Sequence, residues 1–160
     1  NDPKINEILY NAAVCFEKAR LIGRAIKYRQ TLINRPDAVK DPLAQKAQFY
    51  LGGNYTQIAW YDKAAEMYEA YAAKFAGEKD APEALAYATF FRKGLGQDDL
   101  AIKDTETYVG RFAKKDPREA ANAYYSISFI YDKNKDTEDN RHRANVARAN
   151  ALPANPHMVR

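Results

Sequence analysis

The 160-residue chain carries 25 Lys and Arg against 21 Asp and Glu, a net charge of +4, with 46% apolar residues, twelve Tyr and a single Trp. That length holds one compact domain or about four repeats of two helices, with apolar residue enough for a core. The charge is spread along the chain, whereas a nucleic-acid footprint concentrates its cations on one stripe, and no run of 18 apolar residues is present to span a membrane.

The first predicted helix opens at Asp2-Pro3, an N-cap followed by a residue whose missing N–H is unpaired there anyway. Ile5, Ile8, Leu9, Ala12, Ala13 and Phe16 then recur at three- and four-residue steps and predict an amphipathic helix. Cys15, the only cysteine, falls between Val14 and Phe16 and is expected to be a small buried thiol; alone it builds neither a disulfide framework nor a metal quartet. Gly23 marks the turn into a second helix carrying Ala25, Ile26, Tyr28, Leu32 and Ile33, stopped near Pro36.

A second hairpin opens at Asp41-Pro42, with Ala44, Ala47, Leu51 and Tyr55 facing its partner helix. That partner carries Ala64, Ala65, Tyr68, Tyr71, Ala72 and Phe75 and breaks at Gly77. A third opens at Asp80-Ala81-Pro82 with Leu85, Ala88 and Phe91, turns through Gly94-Leu95-Gly96, and returns with Leu100, Ala101, Ile102, Tyr108, Val109 and Phe112. A fourth opens at Asp116-Pro117 with Ala120, Ala121, Tyr124, Ile127, Ser128 and Tyr131. A polar turn at Lys133–Asp136 leads to a weak helix through Arg143, Ala144, Ala147, Arg148 and Leu152. The prolines that open these units, with Pro156, lie 39, 40, 35 and 39 residues apart, a period that means stacked repeats. The hairpins are expected at about 3–35, 42–77, 82–115 and 117–152, with 153–160 starting a further repeat. The missing initial Met and the Asn155-Pro156 step read as a fragment cut from a longer protein, without a signal peptide.

Leu51-Gly52, Tyr55, Tyr61, Ala64, Tyr68 and Tyr71 resemble the pattern of tetratricopeptide (TPR) repeats: Leu and a small residue, then Tyr on the first helix, and Ala with aromatics on the second. The first hairpin matches at Leu9, Ala12-Ala13, Phe16, Ala25 and Pro36, with Arg29 in place of an aromatic. The third matches at Leu85, Ala88, Gly96, Ala101 and Tyr108, with Arg92 and Thr105 at aromatic positions. The fourth keeps Ser128 and Tyr131, with Asn140 replacing a small apolar residue. The resemblance implies an all-α, right-handed α-solenoid of four TPR-like helical hairpins. Gly52 and Ala64 are expected to mark a point of close helix approach, with Tyr and Phe filling the wedges between hairpins. Repeats longer than the usual 34 residues imply helices extended by about a turn, and resemble those of bacterial envelope TPR proteins such as outer-membrane assembly lipoproteins.

In such arrays the first helix of each hairpin lines a concave groove. Carried onto this chain, the groove residues are Glu7, Tyr10, Val14, Glu17 and Lys18; Lys46, Phe49, Gly53, Thr56 and Gln57; Glu83, Ala86, Phe90 and Lys93; and Asn122, Tyr125, Phe129 and Asp132. Tyr10, Phe49, Phe90, Tyr125 and Phe129 are expected to form an aromatic stripe that the packing does not need, the kind of anchor that holds a peptide, the alternative being that they pack against an adjacent repeat or a missing part of the array. The chaperone-binding members of the family hold a carboxylate with Lys, Asn and Arg; the matching positions here are Tyr10, Val14, Tyr50, Glu83 and Tyr87, which supply no such donor.

Nothing patterned for catalysis stands beside His142 or His157. Asp98-Asp99 and Glu138-Asp139 read as helix starts, where the dipole welcomes carboxylates. Arg141, Arg143 and Arg148, with Lys133 and Lys135, form the one basic cluster, read as a solvated face with an acidic partner or anionic lipid surface as the alternative. The expectation is a non-catalytic protein-interaction scaffold without cofactor or metal, binding a peptide or partner protein and no nucleic acid. Its expected setting is a bacterial envelope assembly for outer-membrane assembly, secretion or motility, in the periplasm or at the outer membrane, the alternative being cytoplasmic. Self-association through the C-terminal end is a further expectation, and the runner-up function is the superhelical arm of an enzyme such as a lytic transglycosylase.

Overall fold

The computed structural model describes residues 3–133 and 138–151. The proposed cap Asp2, Lys135, Leu152, His157 and the start of a further repeat at 153–160 lie outside the described residues, as do the side chains of Asn140 and Arg141. Among the described residues the regular structure is helical: α1 (Pro3–Lys18), α2 (Ile22–Ile33), α3 (Pro42–Gln57), α4 (Tyr61–Lys74), α5 (Ala81–Gly94), α6 (Asp98–Phe112), α7 (Pro117–Lys133) and α8 (Glu138–Ala151), with a short 3-10 turn at Pro36–Ala38. They form two compact units, Asn1–Phe91 and Arg92–Arg160. No helix among the described residues is long and apolar enough to cross a membrane.

Caps and turns set these boundaries. The Asp41 carboxylate accepts the Leu43 N–H at 2.8 Å through one oxygen and the Asn6 side-chain amide at 2.7 Å through the other, so the start of α3 is tied to α1. Asp116 accepts the Glu119 N–H at 3.0 Å at the start of α7. Asp98 and Asp99, and Glu138 and Asp139, stand in the first turns of α6 and α8.

Three hairpin turns share one construction. Arg20, Ala59 and Gly96 all take left-handed backbone, with φ of 61°, 59° and 70°. In each turn the next N–H reaches back five residues: Leu21 to the Phe16 carbonyl at 2.8 Å, Trp60 to Tyr55 at 2.9 Å and Gln97 to Arg92 at 2.9 Å. That bond is the signature of the Schellman motif, which satisfies the carbonyls left over at a helix end. In two of the three the side chains at its ends also meet. Trp60 stacks on Tyr55 with ring centroids 6.1 Å apart, and Arg92 replaces that contact with a hydrogen bond to the Gln97 side-chain oxygen at 2.6 Å. The first turn is therefore at Arg20; Gly23, expected there, lies inside the first turn of α2.

Within the first unit α1 pairs with α2 and α3 with α4, α2 packs on α3, and α1 also touches α3. Leu32, Ala38, Ala44 and Ala47 form a buried core cluster, with Leu9, Tyr10, Ile33 and Leu43 against it. Within the second unit α6 packs on α7 and α7 on α8, around Ala101, Ile127, Ile130, Tyr131, Ala144 and Ala147. The connections between hairpins take residues 34–41, 75–80 and 113–116, and the shortest of them closes the shortest repeat, the one that opens at Pro82. The 12-residue α2 is not extended.

Several side chains lie elsewhere than their pattern implied. What lies nearest Gly52 is the Tyr68 ring: a Cβ on Gly52 would stand 2.8 Å from the ring's Cε1 and Cζ. Ile5 and Ile8 are 39% and 63% exposed, and Leu100 is also exposed. Cys15 is exposed as well. α1 buries Asn6 and Ala13 against its neighbours, and at 100° per residue that turns Ile5, Ile8 and Cys15 outward. The basic cluster is neutralised in part. Arg143 pairs with Asp139 at 2.8 Å, Arg148 with Asp132, and Lys133 lies 3.9 Å from Asp98.

Left-handed backbone costs an L-residue about 1–2 kcal/mol, and the added flexibility of glycine offsets about half of the relief. Arg20→Gly and Ala59→Gly are each expected to stabilise the protein by about 0.5–1 kcal/mol, and Gly96→Ala to destabilise it by about 1 kcal/mol. Urea denaturation of the three variants reads all three signs.

Candidate functional site

In the first unit the predicted groove residues of α1, α3 and α5 fall into a polar network, an aromatic-walled pocket and an exposed aromatic. The network centres on Arg29, which is 1% exposed. Its guanidinium donates to the Asn54 side-chain oxygen and to Glu17 Oε2, the latter at 2.8 Å. Asn54 and Gln57 donate to Glu17 Oε1 at 2.6 and 3.0 Å. Arg29 also lies over the Tyr50 ring, 5.5 Å from its centroid. The residue that departs from the aromatic pattern thus joins α1, α2 and α3 by charge-assisted hydrogen bonds. Burial pushes the Glu17 carboxyl up, but the hydrogen bonds and charge of Arg29, with those of Gln57 and Asn54, outweigh it and hold the group below its ordinary 4.5.

Beside the network is a pocket of about 390 Å³. Its walls are Lys46, Phe49 and Tyr50 from α3, Tyr71 from α4, Lys79 and Asp80 from the connection, and Glu83 from α5. Phe49 meets Tyr50, Tyr68 and Tyr71 edge-on at 5.8, 5.5 and 5.2 Å. Glu83 accepts the Tyr87 hydroxyl at 2.8 Å. Tyr50 serves both features, one of the pocket's walls and the platform for Arg29.

The remaining groove residues are placed as follows. Tyr10 packs against the core cluster of this unit, and burial pushes its hydroxyl up. Tyr10 and Phe49 are therefore part of the packing, which corrects the expectation of a stripe that packing does not need. Val14, Gly53 and Thr56 are half-buried and Lys18 is exposed; the Thr56 hydroxyl donates to the Gly52 carbonyl at 3.0 Å. Phe90 is 69% exposed, its edge against Phe91 at 5.5 Å. In the second unit Lys93 is exposed, and Tyr125 is half-buried with its ring perpendicular to the exposed Phe129 at 5.2 Å. A pocket of about 330 Å³ in that unit is lined by Glu106, Tyr131, His142 and Arg143 among others. Sequence reasoning left Lys79 and Asp80 out of the groove, because helix periodicity does not reach residues on a connection.

A carboxyl whose folded pKa is lowered contributes stability that is complete above its ordinary value and is lost as pH falls through the folded value. For Glu17 that window lies below about pH 4.5. Glu17→Gln should be about 2 kcal/mol less stable at pH 7, because buried Arg29 loses its counter-charge, and should show a flatter acid limb in denaturation between pH 6 and pH 3.

No protein-family model and no curated protein matches the chain. Solved structures do. BtubC (BKLC) from P. vanneervenii is 18% identical with a TM-score of 0.59, covering 91% of this chain and 60% of that one. The chain thus spans about three fifths of that protein's length. A kinesin-light-chain-type protein of Podosopora anserina with nearly identical TPR-like repeats matches in two structures, at 15% and 16% identity and TM-scores of 0.52 and 0.50. Each covers 98% of this chain and 90% of its own. With these likenesses, the fold of the chain is the all-α helical-repeat fold of TPR-like proteins.

Proposed function

We propose that the chain is a non-catalytic protein-interaction scaffold, and that the first unit binds an extended peptide or a partner helix through the face carrying Tyr50, Phe49 and Phe90. The observation that carries this reading is the pocket beside α3, walled by three aromatic rings and rimmed by Lys46, Lys79, Asp80 and Glu83. Aromatic walls with a few charged groups at the mouth are what a peptide anchor needs: apolar area to bury and polar groups to orient it. Phe90, most of it bare to solvent, extends the aromatic surface onto α5. Tyr10, Val14 and Lys18 on α1, and Gly53 and Thr56 on α3, are proposed as flanking contacts. Lys93, Tyr125 and Phe129 are proposed as contacts made by the second unit. TPR-like folds host many binding partners, so the site and not the fold has to identify this one. The bacterial envelope setting rests on repeat length alone.

Phe90→Ala removes an exposed anchor without opening the core. In a peptide-array screen against the whole chain, peptides captured by the wild type should lose about tenfold or more in affinity to Phe90→Ala and to Tyr50→Ala. An array pattern unchanged in both variants, with melting temperatures also unchanged, would remove this face as the binding site.

A further inference from the structure

α1 carries a second apolar seam that the first unit does not cover. Ile5, Ile8, Ala12 and Cys15 are spaced three, four and three residues apart, the alternation of a coiled-coil seam. Ile5, Ile8 and Cys15 are exposed and Ala12 half-buried, whereas the opposite face of the helix buries Asn6 and Ala13. The seam continues onto Phe16, which stacks on Tyr28 of α2 at 5.2 Å with the Arg24 guanidinium 5.4 Å from its ring centroid.

The hairpin that carries it is cationic. Residues 3–35 hold seven Lys and Arg against Glu7 and Glu17. Glu17 is committed to Arg29, and Arg35 to Asp37 at 2.7 Å. Lys18, Arg20, Arg24 and Lys27 are exposed, and among the described residues none of the four is in an ion pair. α2 has no acidic residue at all.

We propose that this face of α1 docks an amphipathic helix of another polypeptide, one with an apolar seam of its own and acidic residues along its flanks. Small Ala12 and Cys15 at the middle of the seam let a second helix approach closely, with Ile5 and Ile8 as knobs. Acidic flanks pair with Lys18, Arg20, Arg24 and Lys27, while a second copy of this face would set those cations against each other. A lipid surface calls for large protruding apolar groups at the centre of the stripe, where this seam is smallest. None of its residues lines the aromatic pocket, it shares only Lys18 with the flanking contacts proposed above, and it does not depend on the function proposed for that pocket.

Cys15, the only thiol, reports occupancy of the seam in the unaltered chain. Its alkylation by neutral iodoacetamide is measured alone, then with a synthetic helical peptide of Leu seam and Glu flanks, the same peptide with Lys flanks, or anionic phospholipid vesicles. The Glu-flanked peptide should slow alkylation about tenfold or more, less so at high salt, and the Lys-flanked peptide should not. Ile8→Glu, at an exposed position, should abolish the protection, and Lys18→Glu with Arg24→Glu should transfer it to the Lys-flanked peptide. Equal protection by both peptides, protection that survives Ile8→Glu, or protection by vesicles alone would overturn the proposal. So would protection that grows with protein concentration in the absence of peptide, which would assign the face to a second copy.

Discussion

The first unit depends on one close approach, the Tyr68 ring lying against the bare backbone of Gly52. No side chain fits between them, so α3 and α4 can close only where one of the two presents nothing at all. The ring is then held from several directions: Phe49 at 5.5 Å, Tyr87 at 5.2 Å and Phe91 at 6.4 Å. A single side chain from α4 thereby engages α3 and α5 as well as closing its own hairpin. Its burial shows in the hydroxyl, pushed up to about 12 by desolvation and then by the neighbouring Tyr87. The pocket beside α3 inherits its shape from this arrangement, because Phe49 is shared between Tyr68 and the pocket wall.

The positions that depart from the aromatic pattern follow a single physical logic. Arg29 and Arg92 are 1% and 5% exposed, where a buried cation without partners is costly. Arg29 is supported by Glu17 and Asn54, and Arg92 by the side chain of Gln97 in the turn that follows it. Thr105, the third departure, turns its hydroxyl onto the Ala101 carbonyl at 2.9 Å and so needs no partner from another helix. Polar side chains thus replace aromatic filling by hydrogen bonds rather than by volume.

The opening steps of the hairpins were legible because capping chemistry is local. Asp41 and Asp116 bond to N–H groups two and three residues away, and a proline beside them has few alternatives to a helix start. The buried faces of α3 and α4 were legible for the same reason, since their small and aromatic residues recur at helical spacing. The outward turn of Ile5, Ile8 and Cys15 was not. α1 is apolar over more of its circumference than one neighbour covers, and periodicity says that a face is apolar without saying which face is covered. The turn at Arg20 escaped notice because left-handed backbone is sought at glycine, and neither Arg20 nor Ala59 is one. That the Tyr68 ring would lie against Gly52 was also beyond reach, since that depends on the rotamer of a ring sixteen residues away.

The most direct measurement is a double-mutant cycle between Gly52→Ala and Tyr68→Leu, read by chemical denaturation. In the wild-type background the added methyl collides with a ring that has no room to move, and should cost about 1–3 kcal/mol despite alanine's better helix propensity. In the Tyr68→Leu background the collision is gone, and the same substitution should be neutral or stabilising by up to about 1 kcal/mol. Gly53→Ala, whose methyl would meet only the Tyr68 hydroxyl at 3.6 Å, should stabilise both backgrounds alike. An equal cost of Gly52→Ala with and without the Tyr68 ring would contradict the close approach from which the rest of the first unit is built.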